Sequence, residues 1–219
     1  LLKDRYGIEE DVSIHIEKRI PPRGGLAGGS ANAATTLSLL SDLWELSLGT
    51  DALMSLGREI GMDVPFYFSA ATAFDTEATG RIEPVDTAVS LWFVLVLPPF
   101  GVSTKEAYGA LDYQTVGKNT ARTSALVTAL GENRPGDLCA LLHNDFELSV
   151  FKQHPRLAQW KADLLRAGCL GAVLSGSGST LVGVCETKEQ AEVAAEKMNS
   201  AGVRAITTRS MSTQADQNL

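Results

Sequence analysis

Apolar and polar residues alternate over Val12, Ile14 and Ile16 against Ser13, His15 and Glu17, the period of a half-buried strand. After a loop rich in proline and glycine, Ala33, Leu37, Leu40 and Trp44 recur at helical spacing. A second helix is expected from Asp51 to Ile60, with Gly61 at its end. Leu1 to Tyr6 before Gly7 has the form of a helix end. Strands are expected at Ala71–Glu77, Arg81–Val85, Ser90–Leu97, Gly171–Leu174, Leu181–Cys185 and Val203–Thr208. Between them, helices are expected from Ser103 or Thr104 to Leu111, at Asn119–Leu130, at Asp137–Val150, and from Pro155 to the stop at Gly168. Thr187-Lys188-Glu189-Gln190 fits a capping box that opens the last helix.

Helices mixed with antiparallel-looking strands indicate an α+β protein. A polar stretch near Thr87 divides the chain into an expected first domain over 1–87 and a second over 88–219. The second half reads as an embellished split β-α-β order. The tail Ser210–Leu219 is polar and is expected to fray. Since the chain opens on Leu1 inside a helix-end pattern, a further N-terminal segment is expected before it.

Composition narrows the chemistry. There are 219 residues, 44% of them hydrophobic and 21% charged, which excludes wholesale disorder. The apolar runs are strand-sized, so a membrane partner is not expected. With 19 basic and 26 acidic residues the net charge is −7, which argues against a nucleic-acid partner held by bulk charge. Cys139, Cys169 and Cys185 are scattered, with neither disulfide nor zinc spacing, and a reducing cytoplasm is the simplest setting.

The segment Pro21-Pro22-Arg23-Gly24-Gly25-Leu26-Ala27-Gly28-Gly29-Ser30 carries the most chemistry. Four glycines within six residues open the backbone to conformations closed to other residues and clear side chains from its amides. A helix begins at once after them, and its free N–H groups favour a phosphate. The Walker pattern is absent, because no Gly-Lys-Ser/Thr follows. The competing reading is a flexible linker or a glycine-rich turn. For Asp63 the residues alone suggest a helix N-cap, or else a carboxylate that takes a proton. Ser30 reads as an N-cap, or as a hydroxyl for phosphate or metal. Ser175, Gly176, Ser177 and Gly178 lie between two strands, as a tight hairpin turn or as a loop that approaches a phosphate. Asn144, Asp145 and Glu147 follow a helical run and would cap or bridge. His15, His143 and His154 show no ligand spacing.

Ile20 to Ala34 resembles the ATP-binding motif of the GHMP kinases, the superfamily of galactokinase and the homoserine, mevalonate and phosphomevalonate kinases. Its Gly-Gly-Ser-x-Asn-Ala-Ala ending is similar to the branch that phosphorylates 4-diphosphocytidyl-2-C-methyl-D-erythritol. Further matches follow in order: Gly61-Met62-Asp63-Val64-Pro65-Phe66, Gly101-Val102-Ser103-Thr104 with Tyr108, Asn144-Asp145-Phe146-Glu147, and Ser175-Gly176-Ser177-Gly178-Ser179-Thr180. The resemblance covers nearly the whole chain. It implies the two-domain GHMP-kinase fold, with a ribosomal S5 domain 2-like N-terminal domain and a ferredoxin-like C-terminal domain.

The resemblance also implies ATP and Mg²⁺ as cofactors and phosphorylation of a small-molecule alcohol, the 2-hydroxyl of that substrate, in non-mevalonate isoprenoid biosynthesis. Lys18 and the run Pro21, Pro22, Arg23, Gly24, Gly25, Leu26, Ala27, Gly28, Gly29, Ser30 and Ala31 would hold ATP, with Ser30 also facing the metal. Asp63 falls on the family's catalytic aspartate, and Ser175 to Gly178 on its second phosphate-side loop. Lys18 reads equally as a solvated strand-end lysine. Ala31 and Ala27 stand where the family often has serine and glycine. No residue matches the family's N-terminal lysine, which would precede Leu1. The alternatives are another GHMP kinase of the homoserine or mevalonate type, a nucleotide-binding module without catalysis, or an interaction protein that reuses the fold.

Overall fold

The computed structural model describes residues 1–69, 72–76 and 81–211. The chain divides into two compact units, one of Leu1–Ile20 with Ala27–Val85, the other of Pro21–Leu26 with Asp86–Leu219. The short run Pro21–Leu26 thus packs with the second unit although its flanks belong to the first.

In the first unit, α1 (Leu2–Tyr6) ends on Gly7, whose φ of 66° is left-handed. Helices α2 (Gly28–Leu43) and α3 (Thr50–Ile60) follow. Their inner faces bury Ala34, Leu37 and Leu56 with Leu2 and Val64. Leu37 and Leu56 are nearly inaccessible, each worth roughly 1.5–3 kcal/mol of apolar burial. A 3₁₀ turn over Pro65–Phe68 has proline at its start, where a missing N–H costs nothing. Strands β1 (Ala73–Thr76) and β2 (Arg81–Pro84) form an antiparallel pair, Ala73 opposite Pro84. Ala71 and Glu77, the expected ends of the first of these strands, lie outside the described residues.

The expected strand over Val12–Ile16 does not form. The segment is unpaired, and Ile14 and Ile16 are 53% and 45% exposed. A half-buried strand needs a ladder partner and a covering layer, and among the described residues this segment has neither.

The second unit is built on β3 (Trp92–Leu97), β4 (Gly171–Leu174), β5 (Leu181–Cys185) and β6 (Arg204–Arg209). The sheet order is β4-β5-β3-β6, and every neighbouring pair is antiparallel. Five helices separate β3 from β4: α4 (Thr104–Gly109), α5 (Thr120–Gly131), α6 (Pro135–Leu141), α7 (Phe146–Gln153) and α8 (Pro155–Ala167). Helix α9 (Lys188–Ser200) joins β5 to β6, which completes the split β-α-β plan of a ferredoxin-like domain. Alternation along the strands serves two cores. Val94, Val96 and Leu181 pack with Leu157, Leu164, Ala191, Ala194 and Met198 of α8 and α9. Val184 packs with Ala129 and Leu138 of α5 and α6. Thr187 and Gln190 make the expected capping box.

One expected helix is two. Asp137–Val150 breaks after Leu141, where Leu142 is extended (φ −56°, ψ 128°). The Asn144 side-chain oxygen then accepts from Phe146 N at 2.9 Å and starts α7. Asparagine offers the backbone this local partner in place of helix continuation. Most of the expected frayed tail, 212–219, lies outside the described residues. Among the described residues no helix is long and apolar enough to cross a membrane.

Candidate functional site

The glycine-rich loop is held in an uncommon backbone path. Arg23, Gly25 and Ala27 have φ of 57°, 75° and 46°, whereas Gly24 and Leu26 between them do not take positive φ. Such alternation turns successive N–H groups toward a common side, a concavity suited to an anion. Two of the three left-handed residues are not glycine, and each costs of order 1–3 kcal/mol that its surroundings must offset.

Those surroundings grip the loop by its carbonyls. Arg23 O accepts from Val102 N at 3.2 Å, and Gly24 O from Thr180 N at 3.0 Å. The Ser175 hydroxyl donates to Gly25 O at 2.8 Å. In the first unit, Ala27 O accepts from the Tyr67 hydroxyl at 3.2 Å and from Ala31 N at 3.0 Å. The N–H groups from Arg23 to Ser30, by contrast, donate to no group among the described residues. An unpaired backbone donor is uncommon where it is buried, as Gly24 is, and this run of donors is left for a ligand or solvent.

Gly25 is glycine for two reasons. Its φ is left-handed, and a Cβ there would stand 2.0 Å from Ser175 O and 2.9 Å from Gly178 O. The second loop, Ser175–Thr180, therefore lies directly against the first. It is anchored in turn by Ser179 Oγ on Phe100 O at 2.6 Å and by a Thr104–Ser177 hydroxyl pair at 3.2 Å. Thr104 belongs to the start of α4, where Ser103 caps Glu106 N.

Helix α2 starts one residue past the last left-handed position. Its N-cap is Ala27, with no side-chain cap bond, so the first-turn amides and the positive dipole end are open. Ser30 is thus the third helical residue and not the N-cap that its type suggested, because the left-handed Ala27 takes that place. The Ser30 hydroxyl has no partner among the described residues. Lys18 is exposed, and its Nζ donates to Asn32 Oδ1 at 2.5 Å beside the first turn of α2.

Asp63 is exposed in the turn before Pro65–Phe68. It does not cap that turn, whose N-cap is Val64 with no side-chain cap bond. Tyr67, one helical turn on, senses its charge: burial and then Asp63 push the phenol above its ordinary value. Tyr67 went unread in the sequence. Its i+4 spacing from Asp63 was the available signal.

The Asn144 segment supports the second loop. Asn144 Nδ2 donates to Leu174 O at 2.7 Å and to Gly176 O at 2.8 Å. Glu147 accepts from Leu174 N at 2.9 Å and from Lys161 Nζ at 2.6 Å. Asp145 accepts from Gly117 N at 2.7 Å and pairs with His143 at 2.6 Å. The Gly117 N–H first, and His143 after it, hold its carboxyl below the usual range.

Comparison with known proteins agrees with these features. The GHMP kinases N terminal domain matches residues 1–70, and the GHMP kinases C terminal domain matches 126–204. A 4-diphosphocytidyl-2-C-methyl-D-erythritol kinase of Shouchella clausii is 40% identical over 190 residues, 87% of this chain and 63% of its own length. A protein given the same name provisionally in Streptococcus uberis is 37% identical over 87% of this chain and 67% of its own. The chain thus spans about two thirds, or slightly less, of the curated relatives it matches. A crystal structure of 4-(cytidine 5'-diphospho)-2C-methyl-D-erythritol kinase superimposes with a TM-score of 0.71 at 29% identity, over 88% of this chain and 68% of that one. A homoserine kinase from Cytophaga hutchinsonii shares the fold, with a TM-score of 0.75 at 18% identity. With a relative this similar matched over two thirds of its length, and both domain models placed in order, the chain belongs to the GHMP kinase family.

Proposed function

We propose that the chain catalyses ATP-dependent phosphorylation of the 2-hydroxyl of 4-diphosphocytidyl-2-C-methyl-D-erythritol, a step of non-mevalonate isoprenoid precursor synthesis. The observation that carries this reading is the loop whose Arg23, Gly24, Gly25 and Ala27 carbonyls are engaged while the amides from Arg23 to Ser30 stay unpaired among the described residues. Backbone N–H groups and a helix start are what phosphates seek. Within this reading Pro21 to Ala31 cradle the ATP phosphates, Lys18 adds a positive charge, and Ser175 to Gly178 hold the loop's shape. Phosphoryl transfer needs mainly positioning and charge stabilisation. Asp63 orients the acceptor hydroxyl and takes its proton as its oxygen bonds the γ-phosphorus, while the bond from that phosphorus to the bridging oxygen breaks and ADP leaves.

Mg²⁺ would accompany ATP and neutralise charge that develops on the phosphates. Among the described residues no group of three His, Cys, Asp or Glu side chains stands ready for a metal. The ion fits here as one held mainly by phosphate oxygens and water, with the partnerless Ser30 hydroxyl as the protein's donor. The thiols are free, Cys169 and Cys185 even with their sulfurs 3.5 Å apart, which supports a reducing cytoplasmic setting. Relatives near 40% identity support the methylerythritol substrate over homoserine, since the homoserine kinase likeness is of fold alone.

A second reading, nucleotide binding without transfer, is favoured by one observation: the Asp63 carboxylate takes no hydrogen bond among the described residues, so no cation is in place beside it. Incubation with Mg-ATP and a panel of 4-diphosphocytidyl-2-C-methyl-D-erythritol, homoserine and mevalonate separates the readings. Phosphate transfer to the first alone is expected. Transfer to homoserine or mevalonate alone overturns the substrate, and ATP binding with no transfer to any overturns catalysis.

A further inference from the structure

We infer that Asn144 is a positioning residue for the nucleotide, acting on the phosphate loop through the Ser175–Thr180 loop without touching the ligand. The inference rests on the ATP reading above and names what keeps that site in shape.

An asparagine side chain has two N–H donors and one carbonyl acceptor, and all three functions of Asn144 are engaged. Nδ2 donates to Leu174 O and to Gly176 O, on either side of Ser175, and Oδ1 accepts from Phe146 N. The two donations fix the peptide unit that enters Ser175 and the one that follows Gly176, and so hold Ser175 between two anchored carbonyls. Ser175 is the residue whose hydroxyl reaches Gly25 O at 2.8 Å and whose own carbonyl occupies the space a Cβ on Gly25 would need. Gly25 is the centre of the three left-handed positions that turn the loop amides one way. A chain of direct bonds therefore runs from the start of α7 through Ser175 to the middle of the phosphate loop, all of it inside one compact unit.

The energetic logic gives this chain a purpose. The left-handed path at Arg23 and Ala27 is unfavourable by itself, and without external bonds the loop would relax and its amides diverge. Each bond contributes modestly, but they act on one rigid object, so losing the first link and losing the second have the same consequence. Residues that share a network show this as non-additivity.

Asn144→Asp is the sharpest variant. It keeps the size of the side chain and an oxygen for Phe146 N, removes both donors, and sets a negative charge against two carbonyl oxygens. The experiment is calorimetric titration of the 219-residue chain with Mg-ATP, in the wild type, Asn144→Asp, Asn144→Ala, Ser175→Ala and the Asn144→Ala/Ser175→Ala double variant. Each single variant is expected to weaken Mg-ATP binding by about threefold to tenfold, the worth of one such network bond. The double variant is expected to bind about as weakly as the poorer single one. Should Asn144→Asp fail to fold, the cycle between Asn144→Ala and Ser175→Ala decides the matter. A lowered melting temperature with unchanged Mg-ATP affinity in the Asn144 variants overturns the inference, as does a double variant whose loss is the product of the two single losses. A wild-type chain that binds no Mg-ATP overturns the function itself and this inference with it, and is recognised because the wild type alone reveals it.

Discussion

The hydroxyl of Tyr67 donates to the carbonyl of Ala27 at 3.2 Å, so the turn that carries Asp63 is tied to the residue that starts α2. Both belong to the first unit. The bond joins the two sequence motifs assigned to acid–base chemistry and to phosphate binding, and it does so at the strained, left-handed Ala27.

Tyr67→Phe removes that bond and little else. A stability loss of about 0.5–1.5 kcal/mol is expected. The phenol is raised above its ordinary 10.0 by burial and by Asp63. The folded chain therefore keeps the proton longer than the unfolded chain. The corresponding stability is complete below about pH 10 and is lost as pH rises through the higher folded value. Melting temperatures between pH 8 and pH 11 should fall less steeply in Tyr67→Phe than in the wild type. Parallel curves would contradict the raised phenol.

Gly25→Ala forces a Cβ to within 2.0 Å of Ser175 O at a φ of 75°. The loop must leave its seat. A stability loss of at least about 1–3 kcal/mol is expected from the backbone conformation alone, with Mg-ATP affinity down roughly tenfold or more as the loop's amides diverge. A variant that melts and binds like the wild type would show that the two loops do not meet as described.

The three thiols test the packing of the second unit. Cys169 is 6% exposed and Cys185 is inaccessible, and burial drives both thiols upward, Cys169 most strongly. Cys139 is raised too, again mainly by burial, but is only partly covered. Thiolates are the reactive form. A thiol-reactive dye at pH 8 should label Cys139 first and reach Cys169 and Cys185 at the slow rate of opening. All three should react at once in denaturant. Rapid labelling of all three in the native protein would refute the core arrangement.

Asp63→Ala should separate chemistry from binding. Turnover on the phosphate acceptor is expected to fall by roughly two to four powers of ten, the usual worth of a positioned base. Mg-ATP affinity should change by less than about threefold, because Asp63 makes no bond to the loop that binds it. Near-normal turnover would remove Asp63 from the mechanism.

Much of this was written in local patterns. The sheet strands β3 to β6 and the capping box at Thr187 follow from period and turn chemistry alone, because both act within a few residues. The loop's glycines announced an uncommon backbone path for the same reason. What local pattern does not carry is partnership. Val12, Ile14 and Ile16 alternate as a strand does, yet strand formation depends on a neighbour, and among the described residues they have none. Asn144 breaks a run that reads as one helix because its side chain outcompetes the next helical bond, a choice settled by Leu174 and Gly176 thirty residues on. Ser30 has the residue type of an N-cap, but the cap position follows from Ala27's backbone angle, which composition does not reveal. Tyr67 was silent because its role lies in a carbonyl forty positions earlier.

The central claim is that the amides from Arg23 to Ser30 hold a nucleotide's phosphates. Backbone amide resonances of the ¹⁵N-labelled chain, followed during titration with Mg-ATP, address it directly. Saturable shifts centred on Gly24 to Ala31 are predicted, with smaller ones at Ser175 to Gly178. Saturable shifts that leave Gly24 to Ala31 unmoved, or no shifts at millimolar Mg-ATP, would contradict it.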